Sequence, residues 1–218
     1  MKNILNKLEF HYTYIIMAFG LVITGHFANL IIFTSLIIIH EMGHYLTSIL
    51  LSYKVDKIKI YPYGGLTILD KKINTKIEKD LLVALSGIIM QSIYFGIIFF
   101  LYKNGIVREY IYNLFRLYHN SMIIFNLLPI YPLDGGRIIK SILHIILGKQ
   151  KAEKYINTIS FSTIVILTLI SSIAIYVAQN IAIFLIIIFL WCLYVKQDII
   201  YKRKDKINNL VQKTIEIK

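Results

Sequence analysis

Cysteine and proline are scarce in this chain of 218 residues, and each scarcity narrows what the protein can be. Cys192 is the only cysteine, so no intramolecular disulfide can form and nothing indicates an oxidising compartment. Of only three prolines, Pro129 and Pro132 fall close together. No low-complexity linker divides the chain. The first apolar run is not followed by a small-residue cleavage site, so we expect a retained helix.

Acidic residues are also few: the chain has 12 Asp and Glu but 24 Lys and Arg. Hydrophobic residues make up 57% of the chain and the mean hydropathy is +0.65, which is too apolar for a soluble fold with a hydrated surface. The composition predicts an all-α polytopic membrane protein whose partner is the lipid bilayer. Despite the net charge of +12, we expect no nucleic-acid partner, because the basic residues follow a membrane topology.

Apolar runs near twenty residues long have the length that an α-helix needs to cross a bilayer. About six such runs occur, with five as the nearest alternative count. The expected spans are Tyr12–Thr24, Ala28–Leu51, Leu81–Tyr102, Leu117–Leu133, Ile156–Ala178 and Ile181–Val195. They form a transmembrane domain over residues 1–202, followed by a short basic tail over residues 203–218.

The basic residues are strongly biased to one side of this six-span layout. Only Lys103, Arg108 and Arg116 lie in the alternate connections, and the other 21 of 24 lie on the opposite side. The positive-inside rule makes that side cytoplasmic. We therefore expect both termini in the cytoplasm.

A β-hairpin is predicted directly after the second span. Residues 57–60 alternate Lys and Ile at the period of a strand, residues 61–65 carry a Tyr-Pro-Tyr-Gly-Gly turn signal, and residues 66–69 can return as a second strand. The exposed edge of such a hairpin could hold an extended peptide by strand addition. A plain cytoplasmic hairpin is the alternative.

The second span carries a group of chemically active residues. Glu41 is its only formal charge, and it lies between His40 and His44. On a helix the two imidazoles share a face and can bind one Zn²⁺, while the glutamate can act as a general base. Ionisable groups at membrane depth usually have a partner or a function. The pattern favours an enzyme that cleaves peptide bonds within the bilayer, and a histidine pair within a helix bundle or a transport path is the alternative.

A catalytic zinc generally takes three protein ligands. Asp134 is the best third candidate, because the two prolines and the glycines at 135 and 136 break the helix around it and can aim its carboxylate. No motif surrounds the other histidines, which are His11, His26, His119 and His144.

These residues together resemble the site-2 protease family of intramembrane zinc metalloproteases. The resemblance rests on His40–His44 and on Asn126–Gly136, and it extends from about residue 10 to 202. It implies that His40, His44 and Asp134 bind one zinc ion and that Glu41 is the catalytic base.

The resemblance also implies partners. Asn126 is expected to help hold the substrate backbone, and Gly64 and Gly65 are expected to contact substrate where the hairpin dips toward the site. The sporulation branch of the family implies a pro-sigma factor of the sigma-K type as substrate. It also implies inhibitory membrane proteins as regulators and a location in the mother-cell membrane around the forespore.

Two departures and two alternatives accompany this resemblance. The third span has Ser86-Gly87-Ile88 where relatives commonly have Ala-Gly-Pro. Relatives of the sporulation branch also carry a C-terminal CBS domain, which is either absent or truncated here. A site-2-type protease with another membrane substrate is the first alternative. A metal-ion transporter is the second, although acidic residues are few in the outer halves of the spans.

Overall fold

The computed structural model describes residues 7–61, 64–70, 77–178 and 181–216. The chain divides into two compact units, the first ending at Asn126 and the second beginning at Leu127. Within the described residues the fold is mostly helical, as expected, with one small three-stranded sheet in the first unit.

The first unit is built around a pair of long apolar helices. Its elements, in chain order, are β1 Leu8–Phe10, α1 Tyr12–Ile23, α2 Phe27–Leu50, β2 Lys54–Tyr61, β3 Gly64–Asp70, α3 Ile77–Lys103 and α4 Glu109–Leu127. Helix α2 packs along α3, and the strands β2 and β3 both contact α2. The helix with the histidine pair is therefore covered by α3 and by the sheet.

The predicted hairpin is confirmed. Strand β2 pairs antiparallel with β3, and Ile58 and Ile60 are buried while Lys57 between them is exposed, as the alternation predicts. The Pro62-Tyr63 part of the predicted turn lies outside the described residues. The register places Thr67 opposite Ile58 and Gly65 opposite Ile60, so these four residues share the face of the sheet that packs on α2.

Strand β1 is an addition to the predicted fold. It pairs parallel with β2, and the sheet order β1-β2-β3 leaves β3 at one edge. Across this pairing Lys57 donates a hydrogen bond to Glu9 and holds the pKa of the Glu9 carboxyl below its usual range. A three-residue strand carries too little periodicity to be recognised, because its partner lies far along the chain.

The second unit contains α5 Asp134–Leu147, α6 Lys149–Ala178 and α7 Ile181–Glu216. Helix α6 packs against both α5 and α7. Helix α7 continues through the expected boundary at residue 203, because no glycine or proline interrupts residues 181–216. An Asp198–Lys202 ion pair at i,i+4 spacing supports the helix across this region.

Four helices in the described part of the chain are long and apolar enough to cross a membrane. They are Phe27–Leu50, Ile77–Lys103, Lys149–Ile173 and Phe184–Arg203, and Tyr12–Ile23 is a shorter apolar helix. Length and composition thus indicate an integral membrane protein, while the six-span count stays a prediction.

The expected span Leu117–Leu133 is not one continuous helix. Helix α4 ends at Leu127, because Pro129 disfavours the helical conformation of the residue before it and cannot donate a backbone hydrogen bond. Residues such as Asn113, Arg116 and Asn120 keep α4 from being one of the four long apolar helices. Helix α5, which follows the break, was not expected as a separate element.

The core of the first unit predicts a test of the sheet. Ile60 is fully buried in a cluster with Ile37 and Ile58, so Ile60→Ala should lower the free energy of unfolding by about 2–4 kcal/mol. Ile89→Ala removes the same atoms from a side chain that is 54% exposed and should have a much smaller effect. Denaturation of both purified variants in detergent micelles measures the difference. Equal losses would contradict the assigned packing.

Candidate metal centre and catalytic base

His40, Glu41 and His44 lie on the buried face of α2, where each is at most 4% exposed. The Nδ1 atom of His44 lies 2.6 Å from the backbone oxygen of Val83 on α3. A backbone carbonyl can only accept a hydrogen bond, so His44 carries its proton on Nδ1. Its Nε2 atom therefore has the lone pair that a metal needs.

His40 also carries its proton on Nδ1, and in its case the hydrogen-bond acceptor is a side chain. Its Nδ1 atom lies 3.0 Å from Oε1 of Gln91, and the amide nitrogen of Gln91 lies 3.3 Å from the backbone oxygen of His119. Since the His119 carbonyl accepts, Gln91 turns its nitrogen toward it and its oxygen toward His40. His40 thus donates from Nδ1 and presents the lone pair of Nε2.

The two Nε2 atoms lie 3.1 Å apart. Two ligands of one tetrahedral zinc ion with bonds near 2.05 Å are separated by about 3.4 Å, so the spacing suits a shared metal. Two neutral imidazoles that direct lone pairs at each other repel, and a cation between them removes that repulsion. The chemistry of the histidine pair therefore fits zinc.

Gly87 on α3 makes room for both rings. A Cβ atom at Gly87 would lie 2.5 Å from Cε1 and Nε2 of His44 and 2.8 Å from Nε2 of His40. Any larger residue would displace the atoms that face each other. The glycine that the sequence retains in its Ser86-Gly87-Ile88 segment is thus a direct neighbour of the histidine pair.

Glu41 is held by strand β3. The hydroxyl of Thr67 donates a hydrogen bond to Oε2 of Glu41 over 2.7 Å, and Gly65 lies so close that a Cβ there would meet Cδ and Oε1 of Glu41. The sheet brings a hydroxyl donor to the only carboxylate of α2.

Asp134 is the first residue of α5 in the second unit and is 6% exposed. Its carboxylate accepts a hydrogen bond from Nη1 of Arg137 over 3.2 Å. A carboxylate at a helix N-terminus is also stabilised by the helix dipole. A metal binds a carboxylate in its charged form.

The irregular segment before Asp134 folds back on the start of α5. A Cβ at Gly135 would meet the backbone of Leu127 and Leu128, and a Cβ at Gly136 would meet the backbone of Ile130. Only glycines permit this close approach.

The buried hydroxyl of Ser160 on α6 secures the same segment. It accepts a hydrogen bond from the backbone N–H of Tyr131 over 3.0 Å and contacts the carbonyl of Pro129 over 3.4 Å. Polar backbone freed by the helix break is thus bound within the protein, as an apolar surrounding requires.

His40, His44 and Asp134 are together a possible metal-binding group. Their assignment as the three ligands of one zinc ion stays a prediction.

The residues expected to bind substrate are placed as follows. Gly64 and Gly65 begin β3, and Asn126 is half-buried one residue before the end of α4. Their binding of substrate stays a prediction.

Gln91, Thr67 and Ser160 were not predicted as site residues. Each is a neutral polar residue beside an apolar stretch, which is common in helices and strands without any function. The only signal in the sequence was the amide of Gln91 within a largely apolar span. Their partners lie 26 to 51 positions away, beyond the reach of any local pattern.

Comparison with known proteins decides the family. The profile of Peptidase family M50 matches residues 28–108 and 104–170, which include both the histidine pair and Asp134. The chain belongs to Peptidase family M50. Stage IV sporulation protein FB of Bacillus subtilis is 28% identical over 153 residues, which are 70% of this chain and 53% of that protein. A zinc metalloprotease of Methanocaldococcus jannaschii is 28% identical over 162 residues, 71% of this chain and 44% of the relative.

The fold of this M50 chain is also that of a solved relative. The structure of the site-2 protease from Methanocaldococcus jannaschii matches with a TM-score of 0.64 and 26% identity, over 87% of this chain and 89% of that one. The predicted resemblance to site-2 proteases is thereby confirmed. The chain spans about half the length of the curated relatives it matches.

The position of Gly87 predicts a matched pair of variants. Gly87→Ala should weaken zinc binding by at least about tenfold, because the added Cβ would displace the two imidazoles from their present positions. Gly96→Ala on the same helix has no atom within 4 Å of the added Cβ and should bind zinc like the parent chain. Competition with a chromophoric chelator measures both affinities. Unchanged affinity in Gly87→Ala would contradict the geometry of the histidine pair.

Proposed function

We propose that this protein is an intramembrane zinc metalloprotease that hydrolyses a peptide bond of a membrane-associated protein. The observation that carries the proposal is the buried carboxylate of Glu41 between two histidines, in a helix that is apolar enough to cross a membrane. A carboxylate in such a helix is unfavourable by about 2–3 kcal/mol, so its retention there calls for a function. Membership of Peptidase family M50 supports the same chemistry.

His40, His44 and Asp134 are the residues that would hold the zinc ion. Two imidazoles and one carboxylate are a donor set that catalytic zinc sites use. When bound, zinc would supply Lewis-acid polarisation of the scissile carbonyl.

Glu41 then acts as general base and acid. It takes a proton from the attacking water as the new C–O bond forms, and it gives that proton to the leaving amine as the C–N bond breaks. Thr67 occupies Oε2 of Glu41, which leaves Oε1 to take the proton. The hydrogen bond also fixes the direction of the carboxylate.

The sheet suggests how substrate is held. A peptide bond within a helix is shielded, so an intramembrane substrate has to be extended before it is cleaved. Strand β3 lies at an edge of the sheet and its residue Thr67 touches Glu41, so a segment added to this edge would lie beside the base. We assign the backbone of Gly64 and Gly65, together with the side chain of Asn126, to substrate binding.

The proposed substrate is a membrane-associated pro-sigma factor in a spore-forming bacterium. Similarity to stage IV sporulation protein FB supports this choice over another membrane substrate. The distribution of basic residues supports cytoplasmic termini. The protein would then lie in the mother-cell membrane around the forespore, with membrane proteins as its inhibitory regulators.

Glu41→Gln tests the assigned base. The amide keeps the size of the side chain but cannot take a proton, so cleavage of a co-expressed candidate pro-sigma factor should stop while zinc content stays at the parental level. Substrate size on a gel and metal analysis of the purified protein give the two results. Asp134→Ala is the complementary variant and should lose zinc as well as cleavage. Processing by Glu41→Gln would overturn the assignment.

Thr67 provides a second test, because hydroxyl and shape can be separated there. Thr67→Val keeps the shape and suits a strand, but it removes the donor to Glu41. A hydrogen bond to a charged group contributes about 1.5–3 kcal/mol, so the cleavage rate should fall about tenfold or more at unchanged zinc content. Thr67→Ser keeps the donor and should retain most of the rate. Equal rates in the valine variant and the parent would show that the hydroxyl does not serve the base.

A further inference from the structure

Gln91 is a fully buried polar side chain in the middle of α3, the helix that packs along α2. Transfer of an amide into an apolar interior is unfavourable unless both of its ends form hydrogen bonds. A leucine of similar size would fill the same space without this penalty. The presence of an amide here therefore needs an explanation beyond packing.

The nitrogen and the oxygen of the Gln91 amide each form a hydrogen bond, and the two bonds have different partners. The nitrogen faces the backbone carbonyl of His119, whose ring stacks on Phe95 of α3 with centroids 4.2 Å apart and planes at 9°. Because a carbonyl cannot donate, this contact fixes which way the amide points. The oxygen is thereby directed at Nδ1 of His40, 3.0 Å away.

The contact with His40 has a consequence for the metal. An imidazole binds zinc through a nitrogen without a proton, so a proton held on Nδ1 leaves Nε2 as the ligand atom. The same hydrogen bond limits rotation of the ring about its Cβ–Cγ bond. His44 obtains the same orientation from the carbonyl of Val83, which no side-chain substitution removes. His40 instead takes its Nδ1 partner from a side chain.

We propose that Gln91 is a positioning residue for the metal centre, which fixes the tautomer and the ring orientation of His40 and is itself fixed by the His119 carbonyl. The inference rests on the proposed zinc site but not on the identity of the substrate. It assigns a role to the buried amide of α3 and to the backbone of α4 at His119.

Three variants of the full chain in detergent test the proposal. Gln91→Leu keeps the bulk and removes the acceptor, so its zinc affinity should fall about 10- to 100-fold, the range usual for loss of a hydrogen-bond partner of a metal ligand. Gln91→Glu keeps an acceptor for Nδ1–H but loses the donor to the His119 carbonyl, so its zinc affinity should lie between those of Gln91→Leu and the parent. Gln150→Leu makes the same change at an exposed position of α6 and should leave the affinity unaltered. Competition with a chromophoric chelator gives all three affinities.

Two further measurements separate positioning from simple packing. The midpoint of thermal unfolding of the metal-free Gln91→Leu protein should not fall, because leucine is favourable in an apolar interior. The visible absorption of the cobalt-substituted Gln91→Leu protein should shift from that of the parent, because a reoriented His40 changes the ligand field. A purely structural role would lower the unfolding midpoint and leave the cobalt spectrum as it is.

The outcomes are distinguishable. Parental zinc affinity in Gln91→Leu would overturn the inference, and so would an affinity of Gln91→Glu as low as that of Gln91→Leu. If the parent chain itself failed to bind zinc, the proposed metal site would fall, and with it the function. If the parent chain and all three variants bound zinc equally well, the inference about Gln91 would fall while the proposed metal site would stand, whatever the variants did to cleavage.

Discussion

The burial of two imidazoles and a carboxylate in one apolar helix is the constraint on which the rest of the first unit depends. Each of these groups loses contact with water, and each has to recover hydrogen bonds from the protein around it. Helix α3 supplies a backbone carbonyl to His44 and an amide to His40, and strand β3 supplies a hydroxyl to Glu41. The packing of α3 and of the sheet on α2 therefore also supplies the hydrogen bonds that water would otherwise give to these three side chains.

The same logic explains where glycine is found. Hydrogen bonds of 2.6 to 3.0 Å between elements require backbones that approach closely, and a side chain at the point of contact would prevent it. Gly87 lies against the two imidazoles, and Gly65 lies against Glu41. In the second unit Gly135 and Gly136 permit the broken segment to fold onto α5. Each of these buried side chains or segments thus requires a glycine at its point of closest contact.

The sequence predicts much of this site but not its surroundings. His40, His44 and Glu41 follow from helical spacing in a single span, and Asp134 follows from the prolines and glycines that break a helix. The hairpin follows from alternation at residues 57–60. Strand β1 and the contacts of Gln91, Thr67 and Ser160 could not be predicted, because each joins residues far apart in the chain and no local period marks them. The continuous helix α7 could have been predicted, since residues 181–216 contain neither glycine nor proline.

The partners of the three proposed ligand residues differ in how far substitution can adjust them. His44 is oriented by main chain, so its geometry is tied to the packing of α3 on α2 and changes only if that packing changes. His40 depends on the side chain of Gln91, and Asp134 on the charge of Arg137. Since the partner of a ligating histidine raises the basicity of that ligand, changes at Gln91 alter metal affinity without altering the fold. Of the three proposed ligands, one therefore has a fixed partner and two have partners that substitution can change, so variation in metal affinity among such chains should arise at the positions of Gln91 and Arg137.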